Sequence, residues 1–270
     1  MPERIRLVRV APAKDIHGAG LQEIIESLQE VLGALGYAVD AALNQPLVGA
    51  TNIYFLAHLL EEEQMEAVPT GSILYNFEQV NSCPLLQAPA FLKLTQRCEI
   101  WDYSLKNLRA LPLSGIDQRL RYVPVGYTGG LTRVKAAPCQ DVDVLFYGSL
   151  NERRRIVLDQ LREKGLKVHH LFGIYGAERD AFIARSKVVL NLHFYPCQIL
   201  ETVRVSYLMA NSKAVVSERD PESEFCPTLL AGLAAGPYDE IALLCAQLVE
   251  DESARRSLER RALETIRKID

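Results

Sequence analysis

Apolar and charged side chains nearly take turns through Ile5-Arg6-Leu7-Val8-Arg9-Val10, the pattern of a strand that opens the chain. A loop over residues 11–20 and an amphipathic run over 21–35, closed by Gly36, complete a strand–loop–helix unit. The pattern predicts further strands over 37–43, 52–57 and 72–77, with an acidic helix around 61–67. A Pro-broken helical stretch over 85–97, a strand over 100–104, a short helix to about 111 and a strand over 120–125 follow. Strands that alternate with helices call for a parallel sheet covered on both faces.

Residues 126–140 carry Gly129-Gly130 and Ala136-Ala137-Pro138 with little apolar periodicity, the composition of a linker. The boundary therefore falls near Asp141, with one domain over 1–135 and a second over 141–270. The pattern then restarts: strand 142–147, helix 152–164 ended by Gly165, strand 167–172, helix 178–185, strand 188–192, helix 200–209 and strand 214–217. A helical C-terminal third rich in Glu and Arg closes the chain, and its charge run over 250–268 reads as the solvated face of an amphipathic helix. The fold class expected is α/β, with two Rossmann-like domains.

Composition narrows the partners. With 49% hydrophobic and 24% charged residues, the 270-residue chain is globular, and its net charge of −4 provides no basic surface to draw it to DNA or anionic lipid. Nucleic acid is thus not an expected partner. Six cysteines, Cys83, Cys98, Cys139, Cys197, Cys226 and Cys245, are scattered without a CxxC or an accompanying His cluster, so neither a metal site nor a redox motif is expected. No apolar run approaches the ~18 residues of a membrane helix, and the N-terminal stretch lacks a signal peptide's pattern. These features place the chain in the cytoplasm, with free thiols and no transmembrane segment.

Four constellations carry candidate chemistry. Asp15-Ile16-His17-Gly18-Ala19-Gly20 follows the first strand, where glycines admit close backbone approach and a helix N-terminus offers N–H groups to an anion. Only part of a dinucleotide fingerprint is present, although Asp40 stands about where its ribose-binding acid would; a plain tight turn accounts for the loop equally well. His17 and Asp15, at the C-terminal end of a parallel strand, are candidate catalytic groups against the alternative of a solvated loop.

In the second half, Gly148-Ser149 is followed by Arg153-Arg154-Arg155 at a helix start, where guanidinium groups oppose the helix dipole and therefore suit an anion such as a diphosphate. Helical spacing sets consecutive side chains about 100° apart, so not all three can face one ligand. The strand ending in Asn191-Leu192-His193 and the helix bearing Glu201 and Arg204 at i and i+3 form the third constellation, with a surface ion pair as the alternative reading. Glu78 ends a buried strand, where an acid is either solvated or used, and Asp102 and Tyr103 sit similarly.

At these residues the chain resembles the GT-B glycosyltransferases, in particular bacterial proteins with a glycosyl-transferase-group-1 C-terminal module. The matching segments are Asp143-Val144-Leu145-Phe146-Tyr147-Gly148-Ser149 with Arg153 to Arg155, Ser186 to His193, Glu201-Thr202-Val203-Arg204 and Val215-Val216-Ser217-Glu218. The resemblance implies two Rossmann-like domains facing across a cleft, the N-terminal one for an acceptor and the C-terminal one for a nucleotide-diphospho-sugar donor, with no cofactor or metal. It makes Arg153, Arg154 and Arg155 the diphosphate clamp, sets Gly148 and Ser149 beneath the donor and gives Glu201 the ribose or sugar. Gly18, Gly20, Asn191, His193 and Arg204 complete the expected donor-binding set.

The family's pair of glutamates eight positions apart is incomplete here, since His193 and Met209 flank Glu201 at that spacing. Retention is favoured by resemblance alone; an inverting enzyme would need a base such as His17, Asp15 or Glu78. The chain is short for the fold, which with the incomplete glutamate pair suggests a non-catalytic nucleotide-sugar sensor or partner subunit as a second reading; a nucleotide-sugar epimerase, which uses the same two-domain architecture, is a third.

Overall fold

The computed structural model describes residues 2–13, 18–111, 119–195, 199–221, 223 and 227–269. The chain divides into two compact units, Met1–Val125 and Gly126–Asp270.

The first unit holds β1 (Arg4–Arg9), α1 (Gln22–Ala34), β2 (Ala38–Leu43), β3 (Thr51–Phe55), α2 (Glu62–Ala67), β4 (Ile73–Asn76), α3 (Pro89–Thr95), β5 (Glu99–Asp102), α4 (Leu105–Ala110) and β6 (Leu120–Tyr122). Its sheet is wholly parallel in the order β2-β1-β3-β4-β5-β6. The central strands bury Leu7, Ile53, Phe55 and Leu74 almost completely, as expected of strands covered on both faces. The Pro-broken stretch resolves into a 3-10 turn over Pro84–Gln87 and α3, whose Pro89 occupies the first helical turn, where a missing N–H costs nothing.

The second unit holds β7 (Val142–Tyr147), α5 (Glu152–Glu163), β8 (Val168–Leu171), α6 (Gly176–Arg185), β9 (Ser186–Asn191), α7 (Thr202–Ala210), β10 (Ala214–Glu218), α8 (Pro227–Leu230), β11 (Ala234–Gly236), α9 (Ile241–Glu250) and α10 (Glu252–Ile266). The sheet, again parallel, runs β11-β10-β9-β7-β8. Leu145, Val189 and Val215 lie in register and pack with α7 and the end of α10. The neighbouring row, Val144, Val188 and Ala214, packs with α5 and α9 on the opposite face.

Two expectations need correction. Residues 126–140 are not a free linker at the end of a 1–135 domain: the break follows Val125. The segment is tied to the second unit, where Thr132 Oγ1 donates to Ala210 O (2.9 Å) and Asn211 Oδ1 accepts from the N–H groups of Arg133 (2.8 Å) and Val134 (2.6 Å). The C-terminal third is also not purely helical, because β11 adds a fifth strand beside β10.

In a doubly wound sheet the strand order reverses at one point, and ligands bind beyond the strand ends there. That point lies between β1 and β3 in the first sheet and between β7 and β9 in the second.

Candidate functional site

At the reversal in the second sheet, β7 delivers Gly148 and β9 delivers Asn191, followed by His193. Gly148 has φ +132°, and a Cβ there would lie 3.0 Å from Arg204 Nη2. Glycine is therefore what lets the Arg204 guanidinium lie against the turn. The turn is pinned from the β8 side, since Gly148 N donates to Leu171 O (2.9 Å) and His170 Nε2 lies 2.8 Å from Gly148 O. Asn151 caps α5 by accepting from Arg154 N (3.0 Å), and its Nδ2 donates to Phe194 O (3.0 Å), joining the helix start to the β9 loop.

The three consecutive arginines have three different environments. Arg153 forms a two-pronged pair with Glu218 (2.6 Å on each prong), a carboxylate with no solvent exposure, and lies 4.2 Å above the Tyr238 ring. The Glu218 hydrogen bonds push the Arg153 guanidinium up from its ordinary range. Arg154 is 3% exposed, donates to Ser149 O (2.9 Å) and Leu192 O, and has Glu201 Oε1 at 3.5 Å. Burial, with repulsion from Arg204, pushes its guanidinium down to about 10. Arg155 is exposed and pairs with Glu152 at 3.3 Å on the outer face of α5, so the structure leaves it out of the cluster.

Glu201 immediately precedes α7, and the alternative reading, an ion pair between Glu201 and Arg204, is not what forms. Arg204 Nη1 instead donates to Asn191 Oδ1 (2.8 Å), while Asn191 Nδ2 donates to Glu201 Oε2 (2.9 Å). His193, 1% exposed, sets Nδ1 3.3 Å from Glu201 Oε2, a charge contact rather than an aligned hydrogen bond. Burial alone would raise the Glu201 carboxyl, but His193, Arg204 and Arg154 outweigh it and hold it at about 2. Burial likewise works against the His193 imidazolium, and Glu201 reverses the balance, so His193 is raised from its ordinary 6.5.

A pH dependence of stability follows. The depressed Glu201 contributes stability above the ordinary carboxyl value of 4.5, lost as pH falls towards 2. The raised His193 contributes below 6.5, and that contribution is lost as pH rises through its elevated value. Melting temperatures across pH are expected to fall at both ends, and His193→Gln is expected to flatten the alkaline side and, because His193 leads the groups that hold Glu201 down, to soften the acid side as well. An unchanged alkaline slope in the variant would show that His193 does not titrate in this pair.

Donors outnumber acceptors here. Three guanidinium groups, Arg153, Arg154 and Arg204, meet two carboxylates, Glu201 and Glu218. Arg154 Nε, Arg204 Nε and His193 Nε2 are buried without a hydrogen-bond partner. Such a surplus favours an anion with several oxygens. Among the described residues no group of three or more His, Cys, Asp or Glu is placed to hold a metal ion.

Other expected site residues lie in the first unit. Asp15 and His17 fall outside the described residues. Gly18 and Gly20 form a short 3-10 turn before α1. Asp40 is engaged by Arg6 through Nε (2.5 Å) and Nη2 (2.8 Å), which removes it as a ribose acceptor. Glu78 follows β4, half-buried, and burial pushes its carboxyl up. Sequence reasoning quoted Glu218 in a matching segment without giving it a role in the second-unit cluster, and missed Asn151 and Tyr238. An acid closing the buried strand Ala214–Glu218 was the available signal for Glu218.

Solved structures with the same two-sheet architecture match nearly the whole chain. An alpha-glucosyltransferase in complex with UDP and a DNA 13-mer aligns over 99% of this chain and 96% of its own, with TM-score 0.66 and 9% identity. Anabaena Alr3699/HepE in complex with UDP and glucose aligns over 97% and 95%, with TM-score 0.64 and 11% identity. T4 phage BGT in complex with its UDP-glucose substrate aligns over 98% and 94%, with TM-score 0.58 and 12% identity. The chain has the GT-B fold. No protein-family model matches it. Two uncharacterized proteins of Acanthamoeba polyphaga mimivirus, L140 and L137, are 26% and 24% identical over 71% and 73% of this chain. The GT-B chain spans 63% and 27% of their respective lengths. Among the described residues no helix is long and apolar enough to cross a membrane.

Proposed function

We propose that this GT-B chain is a glycosyltransferase that moves a sugar from a nucleotide-diphospho-sugar to an acceptor hydroxyl, with the second unit taking the donor and the first the acceptor. The observation that carries this reading is the surplus of buried donors at Arg154, Arg204 and His193 beside the Gly148 turn. Loss of a diphosphate from the anomeric carbon builds negative charge on the phosphate, and cations fixed in advance stabilise that charge without reorganising. Arg204 and Arg154 border the turn and supply it, and Arg153 is held beside them by Glu218. These guanidinium groups do the charge neutralisation that a metal ion would otherwise provide, so no cofactor is invoked.

Glu201 acts in this reading as the carboxylate that holds His193 protonated and orders Asn191, rather than as a free acceptor for ribose hydroxyls. The three solved neighbours contain UDP or UDP-glucose, which makes UDP-glucose the first donor to try. The balanced charge supports an acceptor other than nucleic acid. The free thiols of Cys83, Cys98, Cys139 and Cys245 support a reducing, cytoplasmic setting.

The test is release of UDP from UDP-glucose in the presence of EDTA. Release supports transfer chemistry; tight binding without release favours a nucleotide-sugar sensor, and conversion to another UDP-sugar favours an epimerase.

A further inference from the structure

Beyond β4 and β5 of the first unit, a buried hydrogen-bond network surrounds one peptide unit. Asp102, with no solvent exposure, ends β5 and accepts hydrogen bonds from Ser104 N (2.8 Å), Asn107 Nδ2 (3.1 Å) and Asn76 Nδ2 (2.6 Å). The same two amide groups donate to Glu78 O, Asn76 at 2.9 Å and Asn107 at 2.8 Å. Asn76 Oδ1 accepts from Glu78 N (3.1 Å), and Asn107 Oδ1 accepts from Val80 N (3.0 Å). Both backbone polar groups of Glu78 are therefore held by side chains that Asp102 orients.

Packing fixes the preceding residue too. The Phe77 ring stacks on Phe55 (6.2 Å, 8°) and on Tyr103 (5.8 Å, 11°). The Glu78 carboxylate, in contrast, makes no hydrogen bond or ion pair with any described residue. A network of this size is not needed to end a strand. A backbone locked on every side beneath an unengaged carboxylate is the arrangement of a group kept for a substrate.

We propose that Glu78 is the base that takes the acceptor's proton, and that Asp102, through Asn76 and Asn107, is its positioning residue. This rests on the reading of the chain as a glycosyltransferase. The acceptor O–H proton passes to the Glu78 carboxylate, and the oxygen's electron pair forms the bond to the anomeric carbon. The bond from that carbon to the diphosphate oxygen breaks, with its electrons leaving on the diphosphate. A single displacement assisted by a protein base inverts the anomeric centre, whereas the resemblance alone favours retention.

Burial pushes the Glu78 carboxyl above its ordinary 4.5, towards the range a base at neutral pH requires. The titratable groups around it are the Cys83 thiol, itself pushed up by burial with Glu78 adding to the effect, and Asp102 behind the two asparagines. Loss of activity on the acid side is therefore assigned to Glu78.

The experiment measures UDP release from UDP-glucose with water as acceptor, as a function of pH, together with the anomer of the glucose first formed. Wild type is expected to lose kcat as pH falls through the Glu78 value and to yield β-glucose. Glu78→Gln is expected to lower kcat about 100-fold and abolish that acid limb, with KM for UDP-glucose unchanged. Asp102→Asn is expected to shift the limb and lower kcat about 10-fold or more at unchanged KM, by letting the carboxylate wander. Asn107→Ser, which removes one strut and leaves the hub, serves if Asp102→Asn does not fold. Glu78→Gln with wild-type kcat and acid limb, or α-glucose as first product, would overturn this inference and leave the transferase reading intact. A wild type that releases no UDP would overturn the transferase reading itself.

Discussion

Replacing Arg154 with Ala is expected to lower turnover of a nucleotide-diphospho-sugar, and affinity for the nucleoside diphosphate, by about 10²–10³-fold, the range seen when one fixed donor to a developing anion is removed. Arg154 is a poor structural investment in the absence of an anion. It is almost wholly buried, its nearest carboxylate oxygen is 3.5 Å away, Arg204 repels it, and its Nε has no acceptor. Its lowered pKa expresses this cost. An oxyanion between Arg154 and Arg204 would relieve both repulsion and orphaned donors. The stability loss should stay at about 1–3 kcal/mol, because two carbonyls lose a donor while a desolvated charge disappears. Steady-state kinetics and a melting curve on the same preparation separate the two effects; wild-type turnover in folded Arg154→Ala would remove Arg154 from the donor site.

Arg153→Ala should reverse that balance. Its guanidinium neutralises Glu218, which is fully buried and also accepts from His193 N at 3.1 Å. Removing one member of a buried pair strands the other's charge, at about 3–5 kcal/mol. Arg153 is itself one-third exposed, which places the expected loss at about 3 kcal/mol, the low end of that range. Pairing the change with Glu218→Gln should recover part of the loss, because the stranded charge is gone. Urea unfolding of the single and double variants checks this, and a double variant no more stable than Arg153→Ala would mean that Glu218 is not the stranded group.

Adjacent residues of one type thus have opposite roles, and sequence could not separate them. Helical spacing already showed that the three arginines diverge, but partner identity decides which one matters, and the partners come from the end of β10, the residue after β9 and the residue before α7. The strands were legible wherever a long apolar run made the signal, and Val142–Tyr147 matches to the residue. Ala234–Gly236 escaped because Ala-Ala-Gly carries no alternation to read. The segment after Val125 has the composition of a linker, yet Asn211 captures it through hydrogen bonds spanning nearly eighty positions. Glu201 and Arg204 were readable as site residues from their places near a strand end and a helix start. Their arrangement was not, because Asn191 stands between them, accepting from Arg204 and donating to Glu201. The clamp around Glu78 was equally hidden, since an asparagine two positions from the backbone it holds and another five positions from the carboxylate it bonds look like ordinary turn residues.

The most direct test of the donor site is calorimetric titration of the full chain with UDP in EDTA, run beside Arg154→Ala. Saturable one-to-one binding by the wild type, weakened about 100-fold in the variant, is the predicted result. Absence of binding by the wild type, or equal binding by both proteins, would contradict a diphosphate site built on the Gly148 turn and its arginines.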